Sequence, residues 1–354
     1  MTLLADWQLQ GPLLALWPYR NDVWRGNACY AQQAMLQMLT RIAPYHSVRL
    51  GIHPPQLQQA LQQLPEALEW FPLSYDDSWI RDYGPQFVAA EQLYAWGADF
   101  DGWQGVHSAH RRDQRVAQRL SQRTRRPFRK LPFIFEGGML SHDGAGTAFV
   151  HAASLQRRNP QWGRSQLERV LRARLGLTRI IWIETALCAD ETLGHVDNQI
   201  QFIGPDLIAY AQSENDPKWN QEVLSLRQQA WSAQYRWLEM PPCQAVIDKP
   251  ELFHDVQRKK GVRVRGQAPM LASYVNMIRL PNAIVVPQFR HERFADWNRL
   301  ALVQVGEALS DVKVIAVDAT EFIRGGGGPH CLSLILPNEV KDHSDSRFDA
   351  LLSR

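Results

Sequence analysis

The sequence predicts an α/β chain built from five diverged copies of one supersecondary unit, packed radially into a closed ring. Two observations carry this. First, five stretches share a layout of polar residues leading into an apolar strand, usually followed by a turn and a second apolar strand. Asp82-Tyr83-Gly84-Pro85 runs into QFVAAEQLYAW, Glu136-Gly137-Gly138 into MLSHDGAGTAFV, His195-Val196-Asp197-Asn198 into QIQFIGPDLIAYA, Tyr274-Val275-Asn276 into MIRLPNAIVVP, and His330-Cys331 into LSLILP. Second, these stretches recur about every 50 to 80 residues, with a helix and a strand in most intervals. Repetition of this size implies radial or solenoid packing, in which each unit buries its apolar face against its neighbours. The competing arrangement is a doubly wound sheet, which also alternates strands with helices. In a ring the equivalent strands bring their polar ends to one centre, and Asp82, Glu136, His195, Asp197 and Cys331 meet there.

The elements follow in order. Pro12 to Pro18 (PLLALWP) reads as a short buried strand, and Asn27 to Ile42 as a helix with Ala31, Met35, Met38, Leu39 and Ile42 near helical spacing. Val48 to Ile52 is a strand and Pro55 to Leu68 a Gln-rich helix. His110 to Arg126 reads as a basic helix whose arginines form a solvated face or an anion contact. Leu131 to Phe135 is a strand, and His142 to Gly146 a turn with Thr147 to His151 returning. Gln161 to Leu175 is an amphipathic helix, Arg179 to Glu184 a buried strand, and Asn220 to Leu238 a helix. Pro241 to Gln267 shows no clear period, and Lys259, Lys260, Arg263 and Arg265 suggest an exposed loop or edge. Ser273 to Phe289 is a hairpin around Pro281-Asn282, Ala295 to Ser310 a helix, and Val312 to Val317 a strand. Ile323 to Leu334 (IRGGGGPHCLSL) places Cys331 just beyond four glycines and before a strand at Leu332 to Leu336. Glycines let a backbone lie close to a ligand, so the thiol reads as an exposed nucleophile or as a buried structural cysteine after a turn. Residues 1–340 are expected to form a single domain and 341–354 a loosely held polar tail.

Composition narrows the function. The chain has 354 residues, 45% of them hydrophobic, enough for a large core. A net charge of +3 argues against a dedicated nucleic-acid binder. The four cysteines, Cys29, Cys188, Cys243 and Cys331, form no CxxC pair, which suggests neither a zinc site nor a disulfide framework. No signal-peptide pattern and no membrane-spanning apolar run is seen, so a soluble cytoplasmic protein is expected.

One thiol, one imidazole and three carboxylates make a particular chemistry. A Cys with a His suits covalent catalysis, the imidazole trading protons while sulfur attacks. One carboxylate suffices to orient a His; three would oppose a thiolate by like-charge repulsion. They make sense if the substrate is itself a delocalised cation. A guanidinium is planar and pairs with carboxylates through parallel hydrogen bonds. The constellation therefore suggests a hydrolase or transferase acting on guanidines. Each residue also has a structural reading: His195 and Asp197 as a hydrogen-bonded pair or metal ligands, Asp82 as the partner of Arg81, and Glu136 as a turn cap.

The chain resembles the agmatine deiminases, also called peptidyl-arginine deiminases of the bacterial type, within the guanidine-modifying superfamily. The matching pieces are ADW (Ala5 to Trp7), WIRDYGP (Trp79 to Pro85), FEGG with DGAGT (Phe135 to Gly138, Asp143 to Thr147), DETLGHVDN (Asp190 to Asn198), NDP (Asn215 to Pro217), ASYVN with VVPQF (Ala272 to Asn276, Val285 to Phe289) and GGGGPHC (Gly325 to Cys331). They stand in the family's order over nearly the whole chain. The resemblance implies a five-bladed, pseudo-fivefold α/β propeller (pentein). It implies that Cys331 is a nucleophile forming an amidino-thioether, that His195 protonates departing ammonia and then activates water, and that Glu136 orients His195. Asp82 and Asp197 would clamp the guanidinium and Trp79 would line the pocket. The implied reaction is hydrolysis of agmatine to N-carbamoylputrescine and ammonia, a step in putrescine formation. No metal or organic cofactor, nucleic acid or membrane is implied, and self-association as a homo-oligomer stays open. The alternatives are free arginine, peptidyl-arginine or methylated arginine as substrate, amidino transfer to an amine, or a non-catalytic guanidine-binding protein on the same fold. The chain departs from the family's usual GGGN at Gly328-Pro329, and has Tyr210-Ala211-Gln212-Ser213 where agmatine enzymes often carry Trp-Thr-Asp-Asp.

Overall fold

A computed structural model describes residues 1–106, 109–259 and 264–338. The described strands form five small sheets, each built around the same order of elements. A short strand pairs antiparallel with a second; the chain then leaves through helix and returns in a third strand parallel to the second. In the first sheet these are Gln86–Ala89, Leu93–Asp99 and Phe128–Ile134, with helix Val116–Arg123 in the crossover. In the next they are Leu140–His142, Thr147–His151 and Arg179–Ile183, with helix Arg164–Leu175. The third has Ile200–Phe202, Leu207–Ser213 and Arg236–Val246, with helix Pro217–Gln228. The fourth has Ile278–Arg279, Ala283–Gln288 and Lys313–Asp318, with helix Ala295–Ala308. The fifth joins the two ends of the chain. Its first strand, Ser333–Ile335, lies antiparallel to Leu13–Leu16, which continues through helix Cys29–Ile42 to the parallel strand Val48–Ile52.

This order follows from the sequence pattern. A parallel return needs a crossover long enough for a helix. Strands covered on both sides read as continuous apolar runs, as Leu13–Leu16 does, with every residue buried. Neighbouring units touch through their first strands and the polar ends that precede them. Ser141 Oγ accepts from the Phe202 amide at 2.8 Å, Gln201 Nε2 donates to the Met277 carbonyl at 3.0 Å, and the Arg81 amide donates to the Cys331 carbonyl at 3.2 Å.

Three predicted helices are shorter than the sequence suggested. Pro55 to Leu68 contains only a 3₁₀ turn, Pro54–Gln56, and the helix Leu57–Leu61. The basic segment from His110 becomes a 3₁₀ turn, Asp113–Arg115, before helix Val116–Arg123. The helix predicted over Asn220 to Leu238 starts at Pro217, with proline in its first turn, and stops at Gln228. Gln229 is extended, and Trp237 and Leu238 pair with Ile208 and Ala209 instead. Tertiary pairing overrides local helical preference there, and the adjacent Pro241-Pro242 falls at a register shift, where missing donors are tolerated. The tail 341–354, with Lys260 and Arg263, lies outside the described residues. Among the described residues no helix is long and apolar enough to cross a membrane.

Candidate active site

The polar ends that open the first strands converge on one cleft, lined by Trp79, Asp82, Trp103, Glu191, His195 and Cys331 among others. A larger surface cavity of about 420 Å³ lies elsewhere, around helix Thr320–Gly325. Its charged side chains pair with each other, Arg25 with Glu321, Arg290 with Asp318 and Arg324 with Asp248, and it contains no thiol.

Cys331 sits at the end of the glycine run and is 6% exposed. Its thiol lies 3.7 Å from Asp197 Oδ2, and Asn276 Nδ2 donates to the sulfur at 3.3 Å. Burial, then Asp197 and Asp82, push the thiol well above its ordinary range, because each carboxylate opposes a second negative charge nearby. The Gly328 amide acts in the opposite direction by hydrogen-bonding to the sulfur. A Cβ on Gly328 would lie 2.2 Å from Asn276 Oδ1. Glycine at 328 is therefore what lets the loop close against Asn276, whose Oδ1 also accepts from the His330 amide at 3.0 Å. Of the four glycines only Gly326 has positive φ, +112°, where the helix Thr320–Gly325 ends.

His195 Nε2 stands 2.9 Å from Glu136 Oε2, and Nδ1 stands 3.7 Å from Asp82 Oδ1. Burial alone would push the imidazole down; Asp82 and Glu136 outweigh it and raise it to about 10, so the ring is a cation at neutral pH. Glu136 is fully buried yet held below the usual carboxylate range, burial being outweighed by Arg158, at 2.8 Å, and by His195. Asp82 is pushed up to about 6, by burial first; Glu136 and Asp197 add to this and His195 opposes it. Its Oδ1 accepts from the Gly138 amide at 2.9 Å and its Oδ2 from Trp103 Nε1 at 2.8 Å. Asp197 is held low despite burial, chiefly by the hydrogen bond from His330. Trp79 is buried and stacks on Trp24 with ring centroids 5.2 Å apart.

The paired glycines after Glu136 serve close approach. A Cβ on Gly137 would lie 2.0 Å from the Arg81 carbonyl, and one on Gly138 would lie 2.4 Å from His195 Nδ1 and 2.9 Å from Asp82 Oδ1. All six predicted site residues thus lie in or against this one cleft. Sequence reasoning passed over Asn276, Trp103, Arg158 and His330. Asn276 and His330 stand in the repeated polar ends and could have been found there; Arg158, in helix Ala152–Arg158, carries no such signal.

A thiol and an imidazole lining one cleft, with three carboxylates in or against it, on five repeated α/β units, make a site with more negative charge than a neutral ligand needs. The chain belongs to the Porphyromonas-type peptidyl-arginine deiminase family, matching it over residues 2–337. It is 31% identical to a Listeria monocytogenes serotype 4b protein named "Putative agmatine deiminase 1", over 91% of this chain and 92% of that one. Among solved structures, the agmatine deiminase of Enterococcus faecalis superposes with a TM-score of 0.86 at 25% identity, covering 96% of each chain.

Proposed function

We propose that this protein is a guanidine deiminase that hydrolyses agmatine to N-carbamoylputrescine and ammonia through a covalent intermediate on Cys331. The observation that carries the reading is the thiol's charge environment. Asp197 and Asp82 oppose ionisation of the sulfur, and a cation placed between them relieves that penalty. A guanidinium satisfies both carboxylates through its planar N–H groups and presents its central carbon to sulfur. Family membership and the agmatine deiminase names of the relatives support the same substrate class.

In this reading the bound cation lowers the cost of the thiolate, the thiol proton passes to water, and Sγ attacks the guanidinium carbon. One C–N bond breaks as His195, with Nε2 occupied by Glu136, gives a proton from Nδ1 to the departing ammonia. The resulting amidino-thioether is attacked by water, whose proton His195 takes. The C–S bond then breaks as the remaining proton of the added water passes to sulfur, leaving the ureido product and a free thiol. The five sheets are the blades of a pseudo-fivefold α/β propeller forming a single domain. Their shared strand order, the contacts between first strands and the pairing of Ser333–Ile335 with Leu13–Leu16 support that architecture.

Ammonia release from agmatine, abolished in Cys331→Ser, is the expected result; a fully active Cys331→Ser would sink the mechanism. One observation favours a second substrate. Arg265 lines the cleft, paired with Glu191 at 2.5 Å. A guanidinium-bearing side chain in the cleft lining suits a substrate whose far end carries a carboxylate, such as arginine, better than the ammonium of agmatine. Comparison of kcat/KM across agmatine, arginine, a peptidyl-arginine and a methylated arginine decides between them, and preference for any of the last three overturns the choice of agmatine.

A further inference from the structure

We propose that His330 is a positioning residue for Asp197, and that the N-terminal segment, through Asp6, fixes His330 in turn. The inference rests on the reading of Asp197 as a guanidinium-facing carboxylate. His330 Nδ1 and Asp197 Oδ2 are 2.8 Å apart, and Asp197 Oδ1 has no hydrogen-bond partner among the described residues. The same Oδ2 faces the Cys331 thiol at 3.7 Å. One oxygen is thus occupied by the imidazole, and the other is kept for a ligand. A buried carboxylate oxygen without a donor is costly unless something fills the place, and a cationic N–H donor does so.

The far side of the imidazole is also held. His330 Nε2 stands 3.7 Å from Asp6 Oδ2, and Asp6 is gripped by Arg81 through Nη1 at 3.2 Å and Nη2 at 2.7 Å. Arg81 Nε donates to the His330 carbonyl at 3.4 Å, and the Arg81 amide donates to the Cys331 carbonyl at 3.2 Å. His330, Asp6 and Arg81 line a separate cleft whose lining does not include Cys331. Successive residues therefore divide the work: Asp82 and Cys331 face the thiol's cleft, while Arg81 and His330, one residue before each, brace them from the second. His330 touches no reacting atom; it acts by fixing which way Asp197 points.

The test separates recognition of a cation from reactivity of sulfur. His330→Leu removes the donor, and His330→Asn keeps an N–H near the position of Nδ1. Each is compared with wild type in KM and kcat for agmatine, and in the rates of Cys331 alkylation by chloroacetamidine, a cationic amidine, and by neutral iodoacetamide. His330→Leu is expected to raise KM about tenfold or more and to slow the amidine by a similar factor, the scale of one lost hydrogen bond to a charged group. Iodoacetamide should change less than about twofold, His330→Asn should recover most of the loss, and Asp6→Asn should shift the same ratio in the same direction by a smaller factor. Equal slowing of both alkylators, a fall in kcat alone, or no recovery in His330→Asn would overturn the proposal. The alkylation ratio is measured within each protein and needs no turnover. A wild type that hydrolyses no guanidine would count against the proposed reaction, while the ratio would still decide the role of His330.

Discussion

Gly138 has no side chain because His195 and Asp82 occupy the space where one would go. A Cβ there would press on His195 Nδ1 and Asp82 Oδ1 at once, while its amide must still reach Asp82. Gly138→Ala is expected to lower kcat/KM at least about a hundredfold, since small misplacements at a reacting centre cost that much. Unchanged kinetics in a folded Gly138→Ala would show that this contact does not set the site. Gly328→Asn should also impair activity, because Asn276 already fills the position. The two titrations nearest the reacting centre set a pH profile. Asp82 takes up a proton as pH falls through about 6 and then no longer attracts a cation. His195 loses its proton as pH rises through about 10 and then cannot protonate the leaving ammonia. A bell-shaped kcat/KM with limbs near those values is expected, each limb belonging to the coupled cluster rather than to one residue. A profile flat between about pH 5 and pH 7 would remove Asp82 from substrate binding.

The short helix Thr320–Gly325 delivers the glycine run to the site, and its position depends on charge pairs rather than length. Glu321 accepts from Arg25 Nη2 at 2.6 Å and pairs with Arg324, which also donates to Asp248 at 2.6 Å; these side chains are about 15 to 18% exposed. Gly325 lies against Trp24, which stacks on Trp79 in the cleft wall. Glu321→Gln should cost about 1–2 kcal/mol in urea unfolding, between the values for surface and buried pairs, and should raise KM. Asp296→Asn, which breaks the fully exposed pair with Arg299, should change neither. A Glu321→Gln protein as stable as Asp296→Asn would mean the pairs do not hold the helix. At this scale the sequence was legible where pattern and packing agree. Leu13–Leu16 was readable because a strand buried on both faces is apolar throughout, and Thr147–His151 and Val48–Ile52 because their polar residues, Thr147, His151 and Arg49, are few within a mostly buried run. The five polar ends were readable as repeats because each opens onto an apolar strand, and they led to Asp82, Glu136, His195, Asp197 and Cys331. Trp237 and Leu238 were misread because their partners, Ile208 and Ala209, lie a whole helix away in sequence. Arg158 was invisible because its reason for burial is Glu136, and nothing local to helix Ala152–Arg158 points there.

For the whole molecule, the decisive feature is that the first and last units share a sheet. Leu13–Leu16 pairs with Ser333–Ile335 on one side and Val48–Ile52 on the other, so the chain ends are tied together. If the five sheets form one closed domain, damage at this closure must be felt in every other sheet. Cys243 is a suitable reporter. It is fully buried on strand Arg236–Val246, in another sheet, and its thiol donates to the Asn198 carbonyl at 3.3 Å. In a Cys29→Ser, Cys188→Ser, Cys331→Ser background it is the only thiol, and its exposure to a thiol reagent in rising urea follows that sheet alone. Leu14 is fully buried in the closing sheet, and Leu14→Ala should cost about 2–5 kcal/mol. In one cooperative domain that cost lowers the urea midpoint for Cys243 by the same amount as the midpoint for loss of circular dichroism. If Cys243 emerges at an unchanged urea concentration while part of the dichroism is lost early, the units melt separately and the single-domain ring is wrong. A solenoid would behave in that second way, because each of its repeats contacts only its neighbours and its ends are free to fray.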